Sequence, residues 1–206
     1  RRGVVISTFF AVLVSGGGSN LQALIDAQHG GVLKSGAIVR VISSKPDAFA
    51  LTRAARAGIE TQVLCPGDYE TRAAFDTALL AALAGARADL VVLAGFLYVL
   101  GPQVVKAYPR RIINVHPSLI PSFCGDGFYG LRVHRAALDY GVKVTGATVH
   151  FVNEITDGGQ IILQKAVDVL EGDTPEILQK RVMEQAEWVL LPQAAELVCR
   201  AATEVQ

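Results

Sequence analysis

Short β-branched runs recur along this chain with stretches of helical periodicity between them, and that alternation restricts the fold more than any other feature of the sequence. The runs at 11–14, 38–42, 62–64, 90–93 and 112–115 read as strands. Those at 21–28, 47–57 and 70–84, rich in alanine and leucine, read as helices between them. Strands that alternate with helices pair in parallel, because each helix carries the chain back across the sheet as a right-handed crossover. The expected class is therefore α/β, a Rossmann-like, mostly parallel sheet flanked by helices. After His116 the texture changes. A loop rich in proline, serine and glycine runs to Gly130, a short helix runs to Tyr140, and 142–152 and 160–169 alternate like half-solvated strands. These predict antiparallel additions to the sheet in the C-terminal half. Thr174 and Pro175 suit the N-cap and first turn of a last helix, expected to continue to about residue 202.

With 206 residues, 51% of them hydrophobic, the chain can bury one full core. A single domain over 1–206 is expected, with 1–10 an N-terminal extension given no role. Nineteen Lys and Arg balance nineteen Asp and Glu, so no net field gathers nucleic acid or an anionic membrane. No run reaches the roughly 18 uninterrupted apolar residues of a membrane span. Cys65, Cys124 and Cys199 are odd in number, far apart and without a C-x-x-C pair, which favours a reducing, cytoplasmic setting and no metal.

Ser15-Gly16-Gly17-Gly18-Ser19-Asn20 lies between the first strand and the first helix, where loop amides and the helix N-terminus face the carboxyl edge of the sheet. Glycine lets backbone approach a phosphate closely, and Ser19 or Asn20 can cap the helix. The loop has no G-K-[ST] ending, and Leu21 stands where G-x-G-x-x-G needs its third glycine, so nucleotide-triphosphate and dinucleotide binding are disfavoured. An unliganded tight turn has the same composition.

Asn114 and His116 lie two apart in the fifth strand and so project to one side, at the carboxyl edge. A lone strand histidine is more often structural, but this one stands beside an amide and before a proline-rich loop. Acyl transfer to an amine needs donors for an oxyanion and a base for the proton that the amine sheds. Asn114 and a protonated His116 would be the donors. Asp157, in Thr156-Asp157-Gly158-Gly159, is the best carboxylate to hold the imidazolium, although an ordinary Asp-Gly hairpin turn reads the same way.

Taken together, Ser15-Gly-Gly-Gly-Ser-Asn-Leu-Gln-Ala-Leu-Ile-Asp, Ile42-Ser-Ser-Lys, Leu93-Ala-Gly-Phe, Ile113-Asn-Val-His-Pro-Ser-Leu-Ile-Pro, Val144-Thr-Gly-Ala-Thr-Val-His-Phe-Val and Asp157-Gly-Gly-Gln-Ile-Ile-Leu-Gln resemble the phosphoribosylglycinamide formyltransferase family. The likeness runs from Ala11 to about Val198. It implies a formyltransferase fold and transfer of a formyl group from 10-formyltetrahydrofolate, as co-substrate, to the amine of glycinamide ribonucleotide in purine synthesis. It implies Asn114, His116 and Asp157 as the catalytic trio, with direct attack by the amine and no covalent enzyme intermediate. It implies that Gly16, Gly17, Gly18, Ser19 and Asn20 hold the substrate phosphate and that Glu187 holds the amine. Glu187 otherwise reads as a solvated helix residue.

The same resemblance puts the folate against Phe96, Leu97, Tyr98, Val99 and Leu100 and near His150, largely through backbone groups. By pattern alone these are a strand end, its loop and an alternating strand residue. Two departures from the family stand out. Leu97-Tyr98 replaces a usual methionine-arginine, which removes a basic side chain near the folate. The loop from Phe123 to Gly130 is longer than usual and suits a lid. A formyltetrahydrofolate hydrolase, or a non-catalytic phosphometabolite-binding protein, would keep many of the same motifs. A homodimer is compatible with all of these readings.

Overall fold

The computed structural model describes residues 8–204. One seven-stranded sheet organises them, in the order β3-β2-β1-β4-β5-β6-β7. Strands β1 (Thr8–Val14), β2 (Gly36–Ser43), β3 (Thr61–Val63), β4 (Leu90–Leu93) and β5 (Ile112–His116) pair in parallel, while β6 (Val144–Phe151) and β7 (Ile161–Asp168) run antiparallel at the far side. This is the expected mostly parallel sheet with antiparallel C-terminal additions. Of the N-terminal extension, residues 1–7 lie outside the described residues, whereas Thr8, Phe9 and Phe10 open β1, three residues earlier than expected.

The helices divide the core into two layers. Helices α1 (Ser19–His29), α2 (Phe49–Arg56), α6 (Pro175–Val182) and α7 (Trp188–Glu204) cover the face that receives Phe10, Val12, Val14, Ile113 and Val115. Helices α3 (Arg72–Gly85) and α4 (Pro102–Ala107) cover the other, which receives Ala11, Leu13, Val91, Leu93 and Ile112. The period of two along β1 and β5 sorts the side chains in this way. Thr71 caps α3 by accepting from the Ala74 amide, and Thr174 caps α6 by accepting from Ile177, as its sequence suggested.

Two elements differ from expectation. Helix α4 has six residues, too few to display a helical period, and its clearest sequence mark is Gly101-Pro102 at the start. The last helix is not continuous: α6 ends at Val182, a π turn occupies Met183–Glu187, and α7 follows. Pro192, inside α7, has no N–H to give the Trp188 carbonyl immediately after that turn.

Candidate active site

The strand order reverses direction between β1 and β4, and the carboxyl ends of an open parallel sheet form a crevice at such a point. A cavity of about 480 Å³ lies there. Three groups of expected residues line it: Asn114, His116 and Asp157; Phe96 to Leu100 with His150; and Asn20 with Glu187. Gly16 and Gly17 are exposed and Gly18 and Ser19 half-buried in the loop leading to Asn20.

Pairing between β5 and β6 builds the polar cluster. Asn114 lies opposite His150 in register and His116 opposite Thr148, so the side chains of Asn114, His116 and His150 share a face. Asn114 Nδ2 is 3.3 Å from His150 Nε2, and His150 Nδ1 is 2.9 Å from the Phe151 carbonyl. Asp157 sits at a positive φ of 54° in the loop after β6 and turns its carboxylate inward. Oδ2 is 3.5 Å from His116 Nδ1 and Oδ1 is 3.5 Å from His150 Nε2, with the Gly125 amide donating to Oδ2 at 2.9 Å. An ordinary solvated turn would leave this side chain in water; here it is 9% exposed.

Charge states follow from these contacts. Burial pushes the His116 imidazole below its ordinary value, outweighing the upward pull of Asp157 and the Phe123 carbonyl. Burial alone would raise the Asp157 carboxyl, but the His150 contact, the Gly125 amide and His116 together bring it below the ordinary range. The resting state is therefore a neutral His116 facing an ionised Asp157. A standing imidazolium, expected as an oxyanion donor, is disfavoured by burial. His116 Nε2 lies 2.9 Å from the Phe123 carbonyl, so the long loop touches the imidazole directly.

The glycine loop is less uniform than its sequence. Gly18 is the N-cap of α1, at φ 75°, with no side-chain hydrogen bond capping the helix. Neither Ser19 nor Asn20 therefore takes the expected capping role: the Ser19 hydroxyl points to Met183 Sδ at 3.9 Å, and Asn20 Nδ2 donates to Glu187 Oε2 at 2.9 Å. A Cβ on Gly18 would stand 2.6 Å from Ala50 Cβ, whereas Gly16 and Gly17 have nothing within 4 Å. Gly18 thus serves helix packing, and the uncapped first turn of α1 leaves its amides open to an anion.

Glu187 is 6% exposed, not the solvated helix residue its pattern suggested, because the π turn directs it into the cavity. Burial pushes its carboxyl up to about 6 despite the Asn20 hydrogen bond, which lowers it. In the lining segment after β4, Leu97 and Val99 are more than half exposed, while Tyr98 packs on Phe75 at 4.5 Å between ring centroids.

Two contributors escaped the sequence reading. Arg72, in the first turn of α3, stacks 5.6 Å from the Tyr98 ring and donates to the Val99 and Leu100 carbonyls. The Leu97-Tyr98 segment, without a basic side chain of its own, therefore has an arginine beside it in space, which no local pattern announced. His134, on α5 (Leu131–Tyr140), lines the cavity at 1% exposure with both ring nitrogens unpartnered, and burial first, then His116, pushes it down to about 4. Among the described residues, no group of three or more His, Cys, Asp or Glu is arranged to hold a metal.

Residues 9–194 match the model of the formyl transferase family. The chain is 44% identical over 174 residues to phosphoribosylglycinamide formyltransferase of Escherichia coli, covering 84% of this chain and 79% of that protein. The chain belongs to this family. It is also 47% identical over 195 residues to the bovine trifunctional purine biosynthetic protein adenosine-3, covering 95% of this chain but 19% of that much longer protein. Among solved structures, glycinamide ribonucleotide transformylase 1 from Symbiobacterium toebii matches with a TM-score of 0.88 at 44% identity, covering 94% of this chain and 88% of that one. The enzyme from Brucella melitensis matches at 0.84 and 41%, covering 93% and 95%. In this formyltransferase fold the His116, His150 and Asp157 cluster stands on β5, β6 and the loop after β6, and no helix among the described residues is long and apolar enough to cross a membrane.

Proposed function

We propose that this chain, as a single formyltransferase domain acting in the cytoplasm, moves the formyl group of 10-formyltetrahydrofolate onto the amine of glycinamide ribonucleotide. The observation that carries this reading is the convergence of Asn114, His116 and Asp157 in one cavity that is lined both by the largely apolar segment Phe96 to Leu100 and by the polar Asn20 and Glu187. The apolar rim of Phe96 to Leu100 suits a flat pterin and its aryl linker, and Arg72 beside Tyr98 suits the carboxylates of the folate tail. The uncapped start of α1 after Gly16 to Ser19 suits the acceptor's phosphate, with Asn20 and Glu187 inside it.

In this reading the acceptor amine attacks the formyl carbon, and the carbonyl electrons move onto oxygen. The Asn114 amide donates to that oxyanion. Neutral His116 takes the proton that the nitrogen sheds and becomes an imidazolium that Asp157 holds; the proton then passes to folate N10 as the carbon–N10 bond breaks. Burial favours the neutral imidazole that can act as base, and the adjacent ionised carboxylate compensates for its charging.

The test mixes the purified protein with 10-formyltetrahydrofolate, with and without glycinamide ribonucleotide, and follows donor loss and formate together. Loss that depends on the acceptor and releases no formate is expected. Formate release in both mixtures would replace the transferase with a hydrolase, and no loss in either would leave a binding protein.

A further inference from the structure

Strands β1 and β4 are neighbours, and the segments that leave their carboxyl ends diverge at the crevice. Backbone pairing links them as far as Ala94, whose amide donates to the Leu13 carbonyl. Beyond that point, among the described residues, the bridge is a side chain: the Leu97 amide donates to Ser15 Oγ at 2.9 Å. Ser15 opens the glycine loop, and Leu97 lies in the cavity-lining segment from Phe96 to Leu100. Ser15 is 3% exposed, and its hydroxyl is also 2.6 Å from that of Ser44, which follows β2. Packing does little to fix the segment at this end. Gly95 turns at φ 74° where a Cβ would meet nothing within 4 Å, and Leu97 is 61% exposed. The other end is held separately, by Arg72 on the Val99 and Leu100 carbonyls and by the Gly101 amide donating to Asp76 Oδ1 at 3.4 Å.

We infer that Ser15 is a positioning residue for the formyl donor, holding the Leu97 peptide in register with the glycine loop and so coupling the donor's segment to the acceptor's. This rests on the reading of Phe96 to Leu100 as the wall for the folate and of the glycine loop as the seat of the acceptor's phosphate. A flat donor lying along that wall needs the Leu97 backbone in one conformation, and the Ser15 hydroxyl selects it. The same residue begins the glycine loop, whose Gly16 and Gly17 are exposed. An acceptor that restricts those glycines also steadies Ser15, which lowers the cost of ordering the donor's segment. By linkage the donor then tightens the acceptor by the same factor.

Calorimetry measures the binding of glycinamide ribonucleotide and of tetrahydrofolate, each alone and each in the presence of the other, to the parent, Ser15→Ala and Ser44→Ala. Tetrahydrofolate carries no formyl group, so no reaction interferes; steady-state formyl transfer is followed separately. Ser15→Ala is expected to raise folate KM about fivefold, the worth of one hydrogen bond. Its kcat and the affinity of glycinamide ribonucleotide for the free protein should each stay within about twofold of the parent's, whereas a general loosening of the fold would move all three. In the parent each ligand is expected to tighten the other about fivefold, the low end of coupling between sites, and in Ser15→Ala by less than about twofold. Ser44→Ala leaves the bond to Leu97 but removes the hydroxyl that steadies Ser15, so a smaller change in the same direction is expected; it carries the test if Ser15→Ala does not fold. In a parent that transfers formyl, independent binding of the two ligands, or unchanged folate KM and coupling in both variants, would overturn the role of Ser15 alone. A parent without acceptor-dependent transfer would overturn the underlying reading instead.

Discussion

On the strand side of the cavity Asn114, His116, His150 and Asp157 are partnered with one another or with backbone groups, whereas on the helix side Asn20 Oδ1 and both ring nitrogens of His134 have no partner. Both sides are buried, so burial does not account for the difference. Register does: antiparallel pairing of β5 with β6 fixes which side chains meet, and they satisfy one another before any ligand arrives. The helix side draws on α1, α5 and the π turn, which are not hydrogen-bonded to one another as strands are. The partnered groups thus stand on the sheet and on the loop that follows β6, and the unpartnered ones stand on helices.

If that division is right, substitutions on the strand side change turnover and those on the helix side change acceptor binding or stability. The largest effect expected is from His116→Ala, about 10³-fold in kcat, within the usual span for general acid–base catalysis. The parent's kcat/KM should fall on an acid limb below pH 6.5, since burial lowers His116 and only its neutral form accepts a proton; a limb that survives in His116→Ala would assign it to another group. Asn114→Ala should cost about 3 kcal/mol of transition-state stabilisation with little change in melting temperature. An effect confined to acceptor KM would move Asn114 to the other side of the comparison.

Smaller effects test the support beneath each side. Gly18→Ala should destabilise the fold by about 1–3 kcal/mol, because φ 75° and the approach to Ala50 both exclude a side chain. Gly16→Ala should stay within about 0.5 kcal/mol in a urea titration. A pH-dependent effect concerns His134. Its folded value of about 4 lies below the ordinary 6.5, so the unfolded chain binds more protons between them. Stability from its neutral burial is fully present above pH 6.5 and is lost as pH falls towards 4. Between pH 7 and 5 this is about 1–2 kcal/mol, and His134→Leu should flatten that part of the profile while His116 keeps the rest. An unchanged profile would show that the imidazole finds a partner in solution.

What the sequence revealed follows the same division. Asn114 and His116 could be read because a strand's period of two is strict, and the α/β class because five strand-like runs recur with helical stretches between most of them. Asp157 could not be separated from an Asp-Gly turn, since what distinguishes it is the inward aim of its carboxylate towards His150 and towards His116, which lies far off in sequence. Glu187 was legible only through family resemblance, as its burial depends on a π turn that local propensity does not encode. Arg72 and His134 act through packing between elements, which no single periodic segment records.

The π turn has a further consequence for how the chain tolerates change in length. An α-helix rotates about 100° per residue, so the wider turn at Met183–Glu187 sets the phase of α7 relative to α6. Excising one residue there would let the segment close to ordinary pitch with little change in the phase of α7, so Leu191, Ala194, Ala195 and Cys199, all fully buried, would keep facing the sheet. A one-residue deletion would therefore spare the seating of the last helix and remove the wide turn that aims Glu187 inward, whereas an added residue elsewhere in α7 would rotate everything after it.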